Sequence, residues 1–317
     1  MFETVAVKGD FEKGNSEKGT AVKRKYTGMT LIEILMVVGI IVVLGGLLIP
    51  AMTMVKRTAN QAKQRAELNT IELAITTFKH DYGDYPPSGR QNCEDDNGYS
   101  GAQKLAEALC GWDLLGFDPC SVWRSDGRNC NDTADVYPSP LDLTNPAHMA
   151  NLRTRRGPYL DTANISVFKL GSLFNNLTGE GVTMADTYVL TDVFGVRNTR
   201  QSSGKIVTAG TPILYYKANP ASRDPNISTT YSDRIYNVTD NRYLVALRPL
   251  TTSGAVSTET HPISDNASNY KAFYDFISDR RGAIPWSYHP ESYILISAGP
   301  DGRYGTRDDI CNFPTPP

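Results

Sequence analysis

Apolar residues are distributed unevenly along the chain, and the longest uninterrupted run lies near its start. Between residues 29 and 55 the one charged residue is Glu33, and Lys56 and Arg57 close the run. As a helix this segment would be about 40 Å long, which is enough to cross a hydrocarbon core of about 30 Å. We therefore predict that residues 29–55 form a single transmembrane helix.

Beyond this run, apolar residues recur at helical spacing on an otherwise polar segment. Residues 56–85 are therefore predicted to continue the membrane helix as an amphipathic helix, which ends where Pro86 and Pro87 follow. Pro50 is the expected point of weakness, because proline removes one backbone hydrogen bond. The predicted apolar stripe consists of Ala59, Ala62, Ala66, Leu68, Ile71, Ile75 and Phe78.

The remaining residues, 86–317, are predicted to form a globular domain that contains an antiparallel sheet. Residues 212–217 and 293–297 are rich in β-branched and aromatic residues and are bounded by turn residues, so each predicts a strand. The predicted fold class is α+β, in which the long N-terminal helix packs on a small antiparallel sheet.

Two loop-rich insertions are predicted within this domain, at about 90–155 and 218–290. The second contains an apolar run at residues 243–247, which predicts an extra strand, and residues 270–277, which predict a short helix. Neither insertion carries a motif that indicates a function.

Composition and charge exclude some classes of protein. The chain has 317 residues, of which 40% are hydrophobic and 21% charged, and its formal net charge is −2. It therefore has enough apolar residues for a core and no overall positive charge that would indicate nucleic-acid binding. A basic cluster at residues 23–25 precedes the apolar run, which predicts that this end stays in the cytoplasm. Residues 1–28 lack apolar periodicity and are predicted to be a disordered leader.

The chain has five cysteines, and four of them lie close together. None forms a Cys-x-x-Cys pair and histidine is scarce, so a zinc site is not expected. Disulfides in an exported domain are predicted instead, with one thiol left over and the connectivity open. The candidates are Cys93, Cys110, Cys120 and Cys130, while Cys311 lies far from them in the sequence.

Glu33 stands out because a carboxylate inside a membrane helix is costly. Taken alone, it is explained by a side chain that reaches the lipid headgroups. From residue 23, however, the chain reads KRKYTGMTLIEIL and then continues into the apolar run. This order resembles the prepilin leader of type IV pilins and of the pseudopilins of type II secretion.

The resemblance implies that a prepilin peptidase cuts after Gly28 and that the new N-terminus, Met29, is methylated. It also implies that Glu33 attracts the N-terminal amine of a neighbouring subunit, which offsets the burial of the carboxylate upon assembly. Three further blocks, at residues 73–86, 157–160 and 191–195, resemble the major pseudopilin of type II secretion in the same order.

An acidic loop directly follows the strand predicted at residues 293–297. Closely spaced oxygen donors suit Ca²⁺, although loops rich in aspartate and glycine are also common as solvated turns. The major pseudopilins carry a similar calcium-binding loop, and Arg303 and Arg307 offer the alternative of ion pairs with the same carboxylates. The ligands implied by the resemblance are Ser297, Asp301, Asp308, Asp309 and the backbone carbonyl of Leu295.

No enzyme is expected, because the sequence contains no Gly-x-Ser-x-Gly elbow, P-loop or His-Glu-x-x-His motif. The predicted function is that of a structural subunit of a type II secretion pseudopilus. The subunit would cross the inner membrane once, with a cytoplasmic N-terminus and a periplasmic globular domain.

The partners expected from the resemblance are the prepilin peptidase, copies of the chain itself, other pseudopilins and the inner-membrane assembly platform. The alternatives are a type IV pilin or minor pilin for adhesion, motility or DNA uptake. A membrane-anchored periplasmic binding module or hydrolase that shares only the leader is a further alternative.

Overall fold

The structure, a computed structural model, describes residues 28–89, 98–131, 134–161, 165–174, 185–195, 197–200, 206–222, 234–249, 258–264 and 270–315. The chain divides into two compact units, Met1–Met54 and Val55–Pro317. The leader predicted at residues 1–28 lies outside the described residues except for Gly28.

The described part of the chain combines one long helix with short helices and short antiparallel strands, in agreement with the predicted α+β class. The helices are α1 (Leu31–Tyr82), α2 (Gly101–Cys110), α3 (Pro146–Thr154), α4 (Leu170–Leu173), α5 (Arg242–Ala246) and α6 (Tyr270–Phe276). The strands are β1 (Val167–Lys169), β2 (Tyr188–Leu190), β3 (Arg197–Arg200), β4 (Ile206–Ala209), β5 (Leu214–Lys217), β6 (Ser278–Asp279), β7 (Trp286–Ser287), β8 (Tyr293–Ser297) and β9 (Ile310–Cys311). They form a β5-β8-β9 sheet and three two-stranded pairs, β1-β2, β3-β4 and β6-β7.

The two strands predicted from sequence form the centre of the largest sheet. β5 pairs antiparallel with β8, with Leu214 opposite Ile296. Because successive strand residues point to opposite faces, Leu214 and Ile296 contribute to one hydrophobic cluster and Tyr215 and Leu295 to the other. Both faces of this sheet are therefore buried, which explains why neither strand alternates between apolar and polar residues.

One face of the sheet is covered by the part of α1 that belongs to the second unit. Leu68, Ile71, Ala74, Ile75 and Phe78 of α1 all lie in the same cluster as Tyr215 and Leu295. The predicted stripe is thus correct from Leu68 onward. It is wrong before that point, since Ala59, Ala62 and Ala66 are exposed and Gln64 and Glu67 are buried instead.

Parts of both predicted insertions contribute to the hydrophobic core. All ten residues of α2, from the first insertion, are buried. A capping box between Ser100 and Gln103 begins this helix. It lies so close to β5 that a Cβ atom on Gly101 would be 2.4 Å from the carbonyl oxygen of Tyr215. α5 and α6, from the second insertion, cover the opposite face of the sheet.

One element of the second insertion differs from its prediction. Residues 243–247 were predicted to form a strand, but they belong mainly to helix α5. A 3₁₀ turn at Val238–Asn241 precedes α5, and the Asn237 side chain caps that turn by accepting a hydrogen bond from the Thr239 backbone N–H. The turn leads the backbone directly into a helix. The helix predicted at residues 270–277 is confirmed as α6.

The disulfide prediction is corrected for two cysteines. Cys110 and Cys120 are free thiols, as is Cys311. Cys110 ends α2 with no exposed surface, where it packs as a small apolar side chain. Cys130 is disulfide-bonded, and Cys93 lies outside the described residues.

The end of the described chain returns to the first helix of the second unit. β9 pairs with β8, and the next residue, Asn312, uses its side-chain amide to donate a hydrogen bond of 3.0 Å to Glu72 on α1. The carbonyl oxygen of the Asn312 side chain accepts a second bond from the backbone N–H of Leu295. Asn312 therefore joins α1 to the central sheet.

Candidate functional site

The first candidate feature is the start of α1. The carboxylate oxygen Oε2 of Glu33 accepts hydrogen bonds from the backbone N–H of Thr30 at 2.8 Å and from its hydroxyl at 2.9 Å. The backbone N–H of Glu33 lies 3.4 Å from the Thr30 hydroxyl. This reciprocal arrangement is a capping box, which satisfies backbone donors that the helix itself leaves unpaired.

The capping box gives Glu33 a local role that sequence reasoning missed, although the Thr-x-x-Glu spacing of Thr30 and Glu33 signals it. Both bonds from Thr30 end on the same carboxylate oxygen. The other oxygen, Oε1, is therefore the one that can accept a bond from another group. Glu33 can therefore cap the helix and contact a second molecule at the same time.

The residues around Glu33 are exposed in the first unit. Among the described residues, α1 is the one helix that is long and apolar enough to span a membrane, and none of its most apolar window is buried. The helix continues through Pro50 without interruption. Gly28 and Met29, which flank the predicted cleavage point, are exposed. These features are compatible with a single-pass membrane protein.

The second candidate feature is the acidic loop between β8 and β9. One oxygen from each of Asp301, Asp308 and Asp309 lies within 4.8 Å of the others. The loop turns at Gly299, where the backbone has a φ of 66° and a Cβ atom would be 2.2 Å from the carbonyl oxygen of Asp308. Only glycine fits this position, so the turn itself brings the two ends of the loop together.

Asp309 is the most buried of the three carboxylates. It accepts hydrogen bonds from the backbone N–H of Gly305 at 2.8 Å and from the Thr306 hydroxyl at 2.9 Å. Burial raises the pKa of Asp309 to about 8 despite these donors, and the neighbouring Asp301 adds to the rise. A cation beside it would favour its charged form.

Asp301 and Asp308 lie nearer the surface of the loop. Burial, together with the charge of Asp308, raises the pKa of Asp301. The backbone N–H of Asp301 donates to Asp308 at 3.1 Å. The Thr306 hydroxyl lies 2.6 Å from Asp308 as well as 2.9 Å from Asp309, so the two carboxylates share its single proton. The like charges are thus held together by the loop backbone and by a threonine hydroxyl, which is a suitable donor set for a hard cation.

Two of the predicted ligands have other contacts. The hydroxyl of Ser297 donates to the carboxylate of Asp192 at 3.2 Å, and the carbonyl oxygen of Leu295 accepts a bond from the backbone N–H of Asn312. Asp192 is fully buried and also accepts bonds from the backbone N–H groups of Phe194 and Thr211. The three carboxylates lie together at the candidate site, while the Ser297 hydroxyl and the Leu295 carbonyl oxygen take part in the hydrogen bonds described above.

Asp192 is a supporting residue that sequence reasoning did not identify as such. The Ser297 hydroxyl that it holds in turn accepts a bond from the backbone N–H of Gly299, 3.4 Å away. Asp192 thus fixes the start of the acidic loop through Ser297. The sequence places Asp192 in the block at residues 191–195, but it does not reveal which strand end that block faces.

Among the described residues, the arginines of the loop form no ion pair with the three carboxylates. The Arg303 guanidinium pairs with Glu259 at 2.8 Å and also donates to the carbonyl oxygen of Thr260. The ion pairs of the described residues include none between Arg307 and the three carboxylates. The carboxylates therefore keep their oxygens directed at one another, and a divalent cation would relieve their repulsion.

If this loop binds calcium, its affinity should depend on pH in a defined direction. Calcium needs the ionised carboxylate, and the pKa of Asp309 is raised to about 8. The affinity should therefore rise between pH 6 and pH 8, by at most about tenfold per pH unit for one released proton. Calorimetric titration at several pH values, in buffers of different ionisation enthalpy, would measure both the affinity and the proton release.

Two outcomes of that titration are informative. Asp309→Asn, which has no proton to release, should bind calcium weakly and without this pH dependence. A calcium affinity in the unaltered chain that is constant from pH 6 to pH 8 would contradict Asp309 as a ligand.

No protein-family model, curated protein or solved structure matches this chain. The candidate functional features of this chain are therefore the start of α1 and the acidic loop.

Proposed function

We propose that this chain is a structural subunit of a helical filament of the type II secretion pseudopilus kind, and that it assembles through α1. The observation that carries the proposal is the exposed apolar part of α1, which begins two residues after Met29 with a carboxylate in its first turn. A helix that is apolar all round needs lipid or other helices around it. Copies of the same helix supply those surroundings when subunits leave the membrane.

Glu33 is proposed to select the register between neighbouring subunits. Removal of the leader after Gly28 would place a positive amine at Met29, close in sequence to the carboxylate. Thr30 occupies only Oε2 of Glu33, so Oε1 is proposed to accept the amine of a neighbour. The capping bonds hold the carboxylate in one orientation, which reduces the entropy lost when that contact forms.

Calcium is proposed as a structural ion of the acidic loop. Asp301, Asp308 and Asp309 would hold it, and the bound ion would neutralise carboxylates that are close together and partly buried. The loop connects β8 to β9, so the ion would hold the C-terminal strand in the sheet. No catalytic role is proposed for it.

The same proposal includes the location and the partners of the chain. The N-terminus would be cytoplasmic because of the basic residues 23–25, and the second unit would be periplasmic. A prepilin peptidase would remove the leader, and the inner-membrane assembly platform and other pseudopilins would add the subunit to the filament.

Mass spectrometry of the protein isolated from its host tests the proposal. We expect a mature chain that starts at N-methylated Met29, and an unprocessed chain in a host that lacks its prepilin peptidase. An intact leader in the unmodified host would contradict the proposal. Loss of motility or adhesion with unchanged protein export, after deletion of the gene, would favour a type IV pilin instead.

A further inference from the structure

α1 buries two polar side chains where an amphipathic helix would be expected to bury apolar ones. Gln64 has no exposed surface and Glu67 is 8% exposed. They are three residues apart, so they share one face of the helix. The side-chain oxygen of Gln64 accepts a hydrogen bond of 2.9 Å from the backbone N–H of Val193. This bond connects α1 to the turn at residues 191–195 within the second unit.

The Glu67 carboxylate in this contact lacks the donors that a buried charge needs. Its oxygen Oε2 has no hydrogen-bond partner among the described residues. The nearest cation is Lys63 on the same helix, 3.9 Å from the other oxygen, with a side chain that is 65% exposed. The side-chain nitrogen of Gln64 is likewise without a partner in the described part of the chain.

The turn carries another carboxylate, Asp192, next to the Val193 amide that bonds to Gln64. Asp192 is fully buried, and the Glu67 charge acts on it unfavourably. Its own oxygens are bonded to the Phe194 and Thr211 N–H groups and to Ser297, so Asp192 offers no positive partner. Burial opposes the ionised form of Glu67, and Lys63 favours it.

We infer that the contact between α1 and the turn at residues 191–195 is a pH-sensitive contact, in which Glu67 must be protonated for the two elements to pack fully. Burial raises the pKa of Glu67 to about 7, whereas a solvent-exposed glutamate titrates at about 4.3. The packed state therefore holds a proton that the opened state releases. Packing is favoured at low pH and weakens as the pH rises from about 4.3 to about 7, above which neither state holds the proton.

This inference goes beyond the proposed function and does not depend on it. It concerns the packing of α1 within the second unit, whether or not the chain forms filaments. A subunit with this contact would hold α1 firmly in an acidic medium and loosely in an alkaline one.

Hydrogen exchange at the Val193 amide tests the inference in the full chain in detergent micelles. That amide donates to Gln64, so its protection factor reports local opening of the contact. Between pH 5.5 and pH 7.5 we expect the protection factor to fall by roughly tenfold. In Glu67→Gln, which keeps the shape but cannot ionise, it should be independent of pH. Glu291→Gln, at an exposed position, should behave like the unaltered chain.

Three results would overturn the inference. One is a Val193 protection factor in the unaltered chain that is constant across this pH range. Another is a pH dependence that persists in Glu67→Gln. If that variant does not fold, carbon NMR of the Glu67 carboxyl in the unaltered chain decides, and titration at about 4.3, the ordinary value for glutamate, would refute a buried protonated state.

Discussion

Glu33→Ala should be inserted into the membrane and processed like the unaltered chain, yet yield at most about a tenth as much filament. Removing the carboxylate removes the proposed attraction for the N-terminal amine of the neighbour, and a coupling of 1.4 kcal/mol or more changes an equilibrium at least tenfold. The apolar run, which determines insertion, is unchanged. Immunodetection of sheared filaments, with mass spectrometry of the membrane fraction, measures both steps.

Two further variants separate the charge of Glu33 from its capping role. Glu33→Gln keeps a capping box, since glutamine serves in that position as well as glutamate does, but it removes the charge. It should assemble as poorly as Glu33→Ala. Thr30→Ala removes the side-chain partner of the cap, which is worth about 1 kcal/mol, and leaves the charge, so its loss should be smaller. Normal filaments from Glu33→Gln would show that Glu33 only caps the helix.

Calcium is expected to raise the melting temperature of the full chain in detergent by roughly 5–10 °C. At a concentration about 100 times the dissociation constant, a ligand that binds only the folded state adds about 2.7 kcal/mol to the free energy of unfolding. For a unit of roughly 250 residues, each kcal/mol corresponds to about 2–4 °C. Thermal unfolding followed by circular dichroism, with and without calcium, gives the shift.

The variants for this experiment distinguish the acidic loop from general charge effects. Asp301→Asn and Asp309→Asn should lose the calcium shift. Asp186→Asn, an exposed carboxylate paired with Lys169, should keep it. The same melting temperature with and without millimolar calcium, together with no bound metal by elemental analysis, would exclude the calcium site.

The central strands could be predicted from sequence because β-branched and aromatic residues bounded by turns have few alternatives. Residues 243–247 could not, because a short apolar run fits a strand and a buried helix equally well. Leu244 and Val245 are adjacent and both buried. A single helical turn can bury two adjacent side chains when the core surrounds it on more than one side. The deciding signal was the capped 3₁₀ turn that precedes α5, and that signal depends on contacts outside the run.

In the acidic loop, too, contacts between residues near one another in the sequence could be predicted, whereas a contact with a distant residue could not. Asp301, Asp308 and Asp309 converge because glycines and short loop length bring them together, and both are visible in the sequence. The partner of Ser297 is Asp192, which comes from a separate part of the chain. Such a pairing arises from the order of strands and turns in space, so it could not be read from the sequence around Ser297.

The hydrogen bond between Asn312 and Glu72 has a consequence for the order of events during biosynthesis. A ribosome makes the chain from its N-terminus, and the two bonded residues are 240 positions apart. Under the proposed function, α1 is thus available for insertion into the membrane long before β9 exists to complete the sheet that α1 packs against. Contacts of such wide sequence separation also form slowly. On that proposal, each newly made chain should pass through a stage in which it is anchored but unfolded, when proteases and chaperones can act on it.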